Sequence, residues 1–352
     1  MTHILASGDD FVLTRLFTTA LNDELTDELT DELGDDHPVR ELPLPWPGVP
    51  FGQVAEVDEA CGDETSVIEA LSGVEVAVTH LAPFTEKVFA NAPDLRLVVV
   101  SRGGPVNVNI DAATEHGVAV CYAPGRNANA VAEFTIGMLI STCRSMVAGH
   151  ADLARGEWGG HYYEYRSAGF ELDGSTVGLV GYGAIGRRVA RLLTAFGARV
   201  LVYDPYVTDV EPGVTRVPEL ATLLRESRVV SLHQRVTPET RGMIGAEQLR
   251  QMRPGSALIN TARGAVLDYD ALCDALDDGH LAAAGLDVYA TEPLPADSRL
   301  LRTPNLVLAP HIAGCSKEVA ERAARICAAE VGRWVRGEPL ANCANPAVLQ
   351  EA

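Results

Sequence analysis

The chain has 352 residues, 47% hydrophobic and 22% charged, which predicts two domains at about 150 residues each and excludes a disordered chain. Twenty-eight Lys and Arg against 48 Asp and Glu leave a net charge of −20, so phosphate backbones are repelled and no nucleic acid partner is expected. No run approaches the roughly 18 apolar residues of a membrane span, so no membrane is expected; the seven cysteines form no CxxC pair, which argues against a disulfide framework or metal site and suits a cytoplasmic location.

The first ten residues lack the basic-then-apolar pattern of a secretory signal. Ile4-Leu5-Ala6 reads as a short strand. Leu21 to Asp36 repeats Asp-Glu-Leu-Thr, with leucines at 21, 25, 29 and 33 beside eight acids; this reads as an acidic surface helix or a loose insertion, with a partner-binding segment as the alternative. Prolines 43, 45, 47 and 50 then impose a loop. Glu75–Thr79, Leu97–Val100 and Val118–Val120 are β-rich runs. Asn129–Met146 carries apolar residues at helical spacing and predicts one long helix. From Thr176 strands and helices alternate: strands at 177–180, 200–203, 229–232, 257–261, 282–288 and 306–308, helices at 185–196, 218–225, 246–252 and 269–276, and a closing helix at Lys317–Val335. Such alternation predicts an α/β fold with a parallel sheet covered on both faces.

Gly181-Tyr182-Gly183-Ala184-Ile185-Gly186 joins the strand at 177–180 to the helix behind it. In that context the GxGxxG pattern is a dinucleotide fingerprint: one glycine for the turn, one for approach of the pyrophosphate to a helix N-terminus, one for helix–strand packing. Asp204 ends the next strand, near the usual offset for the acid that binds the ribose; a carboxylate there repels a 2′-phosphate and predicts NAD. Beyond strand ends, where ligands of such sheets bind, stand Arg263, Glu292 and His311. Histidine suits proton transfer during hydride transfer to a ketone, a carboxylate orients it, and an arginine fork holds a substrate carboxylate.

These residues make the chain similar to the D-isomer-specific 2-hydroxyacid dehydrogenases, from about Val76 to the last helix. The matching segments are Thr176–Gly186, Tyr203-Asp204-Pro205, Asn260-Thr261-Ala262-Arg263-Gly264, Gly285–Tyr289 with Glu292-Pro293, and Pro310–Gly314. The resemblance implies a Rossmann-type cofactor domain (126–317) and a smaller flavodoxin-like substrate domain made from both chain ends (1–125 and 318–352), a cleft between them, and a homodimer formed through the cofactor domain. It implies that Arg263 binds the substrate carboxylate, that His311 is the acid or base paired with Glu292, that Asp287 meets the nicotinamide carboxamide, and that His233 and Thr237 flank the adenosine side. It places Arg102, Gly103 and Gly104 in the substrate loop.

Two segments depart from the family pattern. Ser101-Arg102-Gly103-Gly104-Pro105-Val106-Asn107 has lost the second glycine of the usual Gly-x-Gly, and Pro105 lacks an N–H donor; Arg102 either binds a second anionic group on the substrate or forms a structural salt bridge. His233-Gln234-Arg235-Val236-Thr237 replaces the usual proline by Arg235, which would tolerate a 2′-phosphate. Arg166 is a further polar candidate. Glu292 argues against a formate dehydrogenase, and the lack of lysine in 101–107 against a phosphite dehydrogenase. No regulatory domain is expected after the last helix. The expected activity is NAD-dependent hydride transfer between a nicotinamide and a small D-2-hydroxy or 2-oxo acid; the alternative is an NADH-sensing, protein-binding module on the same fold.

Overall fold

The computed structural model describes residues 2–29, 39–46 and 52–350. The chain divides into two compact units, Met1–Asn127 with Ser316–Ala352, and Ala128–Cys315.

The first unit runs β1 (Ile4–Gly8), α1 (Thr14–Leu29), β2 (Val39–Pro43), β3 (Gly52–Val54), β4 (Val57–Ala60), α2 (Glu64–Ala70), β5 (Val76–Thr79), α3 (Glu86–Ala90), β6 (Leu97–Val100), α4 (Ile110–Glu115) and β7 (Ala119–Tyr122). Five strands form a parallel sheet in the order β2-β1-β5-β6-β7, the flavodoxin order. β5 and β6 are buried on both faces, which is why their sequences are continuous Val-rich runs rather than alternating ones.

The acidic repeat begins inside α1. Leu21 and Leu25 are buried in a core cluster with Phe17, so this part of the segment is anchored and not merely a surface helix. Residues 30–36 of the repeat and prolines 47 and 50 lie outside the described residues. Pro43 ends β2.

The second unit continues with α5 (Ala128–Cys143), α6 (Met146–Ala154), β8 (Thr176–Val180), α7 (Ala184–Ala195), β9 (Arg199–Tyr203), β10 (Val214–Arg216), α8 (Leu220–Glu226), β11 (Val229–Leu232), α9 (Ala246–Gln251), β12 (Ser256–Asn260), α10 (Tyr269–Asp277), β13 (Leu281–Leu286) and β14 (Leu306–Leu308). Seven parallel strands lie in the order β10-β9-β8-β11-β12-β13-β14. Strand order reverses between β8 and β11, the place where a doubly wound sheet receives a dinucleotide. The last helix, α11 (Lys317–Val335), belongs to the first unit, where its Ala320, Ala324, Cys327, Ala328 and Val331 pack in the cluster that holds Leu21 and Leu25.

The long helix expected over 129–146 is α5, which ends three residues sooner, at Cys143; α6 follows it at an angle of 66°. Ser145, between them, is left-handed (φ +51). The Phe170 N–H donates to the Cys143 carbonyl at 3.3 Å, and this crossing segment satisfies the end of α5 where the helix would have continued. No single helix among the described residues is long and apolar enough to cross a membrane.

Candidate active site

The glycine turn after β8 has the geometry its sequence suggests. Gly181 has φ +97, and a Cβ there would fall 2.6 Å from the Gln234 nitrogen, so only glycine fits. A Cβ on Gly186 would meet the Gly181 carbonyl oxygen at 2.4 Å; the missing side chain lets α7 sit directly on the turn. A Cβ on Gly183 would meet nothing within 4 Å, so the middle of the turn faces open space at the start of a twelve-residue helix, α7, whose free N–H groups favour an anion. Ala184 and Ile185 open that helix.

Asp204 follows β9 across the turn. Its Oδ2 accepts from the Tyr182 N–H at 2.8 Å and its Oδ1 from the Tyr206 N–H at 2.9 Å. The carboxylate therefore braces the glycine turn, while each oxygen keeps acceptor capacity for a hydroxyl. On the β11 side, His233 Nε2 pairs with Ser231 Oγ at 2.9 Å, and burial pushes the imidazole pKa down to about 4, so the ring is neutral. His233 Nδ1 and both polar atoms of the Gln234 side chain are buried without a hydrogen-bond partner among the described residues. Thr237 is turned into a local exchange with Thr240: its N–H donates to Thr240 Oγ1 at 2.8 Å. Arg235 is exposed. The turn, the acid and the unmatched polar atoms around Gly181 fit a dinucleotide.

The same edge of the sheet carries the polar residues expected for chemistry. His311 Nδ1 lies 2.6 Å from Glu292 Oε2, and Glu292 Oε1 accepts from the Tyr289 N–H at 2.9 Å. Burial raises the Glu292 pKa, but the His311 bond, the Tyr289 N–H and the charges of His311 and Arg263 outweigh it, and the carboxyl lies below its ordinary value. It is ionised and fixed at both oxygens. The His311 side chain stays 47% exposed.

Two neighbouring residues hold the His311 segment. Asp287, 1% exposed, accepts from the Ile312 and Ala313 N–H groups, each at 2.8 Å. Burial raises its pKa against the pull of those two N–H groups. Tyr289 donates its hydroxyl to the Ala309 carbonyl at 2.8 Å. Between these clamps His311 adopts a left-handed backbone (φ +56), a conformation that persists only where surrounding bonds enforce it. The family pattern assigns Asp287 to the nicotinamide; its described partners are these two N–H groups. This bracing role is not legible in sequence, since only the three-dimensional return of β14 brings residues 312 and 313 to the end of β13.

Arg263 is exposed, with Nη1 on the Ala262 carbonyl at 2.8 Å. Gly264 beside it packs so tightly that a Cβ would lie 1.8 Å from the Tyr289 carbonyl oxygen. That contact brings the Arg263 segment against the one carrying Tyr289 and Glu292. Thr261 is tied to α5 by a buried hydroxyl pair, Thr135 Oγ1 to Thr261 Oγ1 at 2.7 Å.

In the first unit, Arg102 follows β6 and is bound by the Glu59 carboxylate, with Nη1 also 3.3 Å from the Glu59 carbonyl. Glu59 is left-handed (φ +49) in the β3–β4 hairpin. The hairpin also receives the loop at Asp58 N to Val106 O, 3.1 Å, and Asn109 Nδ2 to Glu56 Oε1, 2.9 Å. Gly103 is exposed, Gly104 is half-buried, and a Cβ on either would meet nothing within 4 Å. Arg166 is exposed on the second unit.

Comparison with known proteins bears on this arrangement. The family model described as D-isomer specific 2-hydroxyacid dehydrogenase, NAD binding domain, matches residues 136–313. A glyoxylate reductase of Korarchaeum cryptofilum is 39% identical over 297 residues, 83% of this chain and 89% of the relative. A glycerate dehydrogenase of Methylorubrum extorquens is 36% identical over 280 residues, 78% of this chain and 86% of the relative. Among solved structures, the TT0316 protein of Thermus thermophilus superposes with a TM-score of 0.77 at 29% identity, covering 97% of this chain and 100% of that one. The NAD-dependent formate dehydrogenase of Staphylococcus aureus, solved with NAD, gives 0.74 at 25% identity over 97% of this chain and 98% of that one. The chain belongs to the D-isomer specific 2-hydroxyacid dehydrogenase family and is an NAD-dependent oxidoreductase that moves a hydride between the coenzyme and 2-hydroxy or 2-oxo acids.

Proposed function

We propose that Arg263, Glu292 and His311 carry out this reaction on a small, singly charged 2-oxo acid. The observation that carries the reading is the 2.6 Å His311–Glu292 pair, whose carboxylate is locked by the Tyr289 N–H. When bound, the coenzyme supplies the hydride. Glu292 occupies Nδ1 of His311, which leaves Nε2 to give its proton to the carbonyl oxygen in reduction and to take it back in oxidation. The ionised Glu292 fixes the orientation of the ring for that transfer. Arg263 offers an exposed planar fork for the substrate carboxylate.

Gly181, Gly183, Ala184, Ile185 and Gly186 would hold the pyrophosphate, and Asp204 the ribose hydroxyls, with His233 and Thr237 along the same edge. Asp287 serves the site by holding the His311 segment. The first unit is assigned to substrate recognition through Arg102, Gly103 and Gly104. The neutralisation of Arg102 by Glu59 supports a substrate whose far end carries no second charge.

A homodimer is supported by exposed apolar residues on the second unit: Met146, Val147 and Leu153 of α6, with Trp158, Tyr163 and Tyr165 after it. A reducing, cytoplasmic setting is supported by the scatter of the seven cysteines without a CxxC pair.

The test is NADH oxidation, followed at 340 nm, across a panel of 2-oxo acids that includes glyoxylate, pyruvate, hydroxypyruvate and 2-oxoglutarate. Turnover that falls about 10²- to 10⁴-fold in His311→Ala, with NADH binding retained, is the expected result. NADH binding without turnover of any 2-oxo acid would overturn the reading in favour of a sensor, and full activity in His311→Ala would remove the proton-transfer role.

A further inference from the structure

Past α11 the chain turns back along the edge of the first unit's sheet, where β7 is the last strand. The Tyr122 N–H donates to the Asn342 carbonyl at 3.2 Å, and the Ala344 N–H to the Val120 carbonyl at 2.7 Å. These bonds pair Cys121 with Cys343 in antiparallel register. They come from the residues on either side, so the two cysteines form a non-hydrogen-bonded pair. In such a pair the Cα atoms are about 4.5 Å apart and the side chains share a face. A disulfide spans Cα separations of roughly 4.4–6.8 Å, so the backbone already has the spacing that a cross-link needs.

The register is held from several sides. Glu330, 2% exposed, accepts from the Ala341 N–H at 3.0 Å and from Asn342 Nδ2 at 2.6 Å. Asn345 Oδ1 accepts from the Val120 N–H at 2.8 Å. Both thiols are free and pack on the cluster that contains Leu21, Leu25 and Cys327. They hydrogen-bond one another, and Cys343 Sγ donates in turn to Asn345 Oδ1 at 3.6 Å. Their access to solvent differs. Cys121 is fully buried, and burial, with the charge of Glu330 behind it, pushes its thiol up. Cys343 is half-buried, on a segment whose Glu338, Pro339 and Ala341 are exposed. An oxidant therefore meets Cys343 first.

We propose that Cys121 and Cys343 are a site of reversible oxidation by peroxides, which join them in a disulfide. The Cys343 sulfur attacks one peroxide oxygen, the O–O bond breaks, and Cys343 becomes a sulfenic acid as one water leaves. The Cys121 sulfur then attacks the Cys343 sulfur. Its proton departs with the displaced hydroxide as a second water, and the S–S bond forms. Two thiols thus lose two electrons and two protons to one hydrogen peroxide, and a thiol reductant reverses the change. The link closes a ring of chain that encloses all of Ala128–Cys315. It restricts the unfolded chain and ties the segment after α11 to the sheet.

The experiment treats the full chain with hydrogen peroxide and then catalase. It maps the linked peptides and records the melting temperature, before and after dithiothreitol. Cys315, which is exposed, reports in the same digest that peroxide has reacted. The expected result is a link between the peptides of Cys121 and Cys343 and a melting temperature raised by at least about 4 °C, both reversed by dithiothreitol. Cys343→Ser should melt within about 2 °C of the reduced wild type and show neither change. Oxidised Cys315 beside an unlinked, reduced pair would overturn the proposal in the wild type alone. So would a link from Cys121 to Cys327, oxidation of Cys343 that stops short of a link, or a link that leaves the melting temperature unchanged.

Discussion

Asp287→Asn removes one formal charge and one acceptor from the clamp on the His311 segment. The wild-type carboxylate is 1% exposed and accepts two N–H groups at 2.8 Å. Hydrogen bonds to a charged group contribute about 1.5–3 kcal/mol each. Asparagine keeps one acceptor and turns an NH2 toward the other N–H, leaving a buried donor unmatched at about 1–3 kcal/mol. Relief of the buried charge, which the raised Asp287 pKa reflects, offsets part of this, and the net cost is roughly 2–3 kcal/mol. His311 already sits in a left-handed backbone, so the cost falls on the segment that positions the imidazole. The expected loss in kcat/KM for NADH-dependent reduction of whichever 2-oxo acid of the panel is turned over is roughly 30- to 150-fold at 1.36 kcal/mol per decade. The NADH Kd, measured by fluorescence, should stay within about threefold (~0.6 kcal/mol). Activity within threefold (~0.6 kcal/mol) of wild type would refute the clamp. A Kd that rises in step with the loss of activity would show that Asp287 acts through the coenzyme, as the family pattern suggests.

Glu59→Gln should remove the carboxylate charge that neutralises Arg102 and raise the kcat/KM ratio for oxaloacetate over pyruvate by up to about tenfold, the worth of one charge-assisted bond of ~1.5 kcal/mol; adding Arg102→Gln should cancel the gain, and an unchanged ratio in Glu59→Gln would refute the neutralising role of Glu59. Acid stability should depend on His233, whose folded pKa of about 4 lies below its ordinary 6.5. Between those values the unfolded chain binds a proton that the folded chain does not, so stability falls as pH drops from 6.5 to about 4, by roughly 2–3 kcal/mol after allowing for the half-buried ring. Urea unfolding at pH 7 and pH 4.5 checks this: His233→Asn should lose less stability across that interval than wild type, and equal losses would refute it.

The nucleotide turn was legible because its constraints are local: within six residues Gly181 and Gly186 each answer a separate steric demand, and Gly183 leaves the middle of the turn open. The strands were legible where burial on both faces forces Val-rich apolar runs, as in β5 and β6. The β3–β4 hairpin was not legible. Its sequence, Gly52-Gln53-Val54-Ala55-Glu56-Val57, has no Asn-Gly or Asp-Gly signal, and the left-handed residues are Ala55 and Glu59. Long-range pairing with the 101–109 loop stabilises it, and no window of sequence shows that. The break between α5 and α6 escaped for the same reason: Ser145 is no helix breaker by composition, and Phe170, twenty-five positions on, supplies the interaction that ends α5. In the acidic repeat, the charge pattern hid the fact that Leu21 and Leu25 face a partner helix nearly three hundred residues later. Of the polar site residues, Arg263, Glu292 and His311 stood out by their place beyond strand ends, whereas the pairing of Asp287 with Ile312 and Ala313 depends on the return of β14.

The two units differ in when they can be completed. Ala128–Cys315 is one unbroken stretch of chain, so its sheet can form on the ribosome as soon as β14 has emerged. The other unit must wait for α11, whose Ala324, Ala328 and Val331 close the cluster around Leu21 and Leu25. Until then only the sheet side of α1 is covered, by residues such as Ile4 and Ala6, and a ring of chain spanning residues 128–315 must close to complete the cover. Early folding of that span shortens the effective ring and lowers its closure entropy. The contiguous unit therefore acts as an internal scaffold for its neighbour's assembly, and truncation within α11 would leave nascent molecules with an exposed, aggregation-prone helix face beside an intact nucleotide fold.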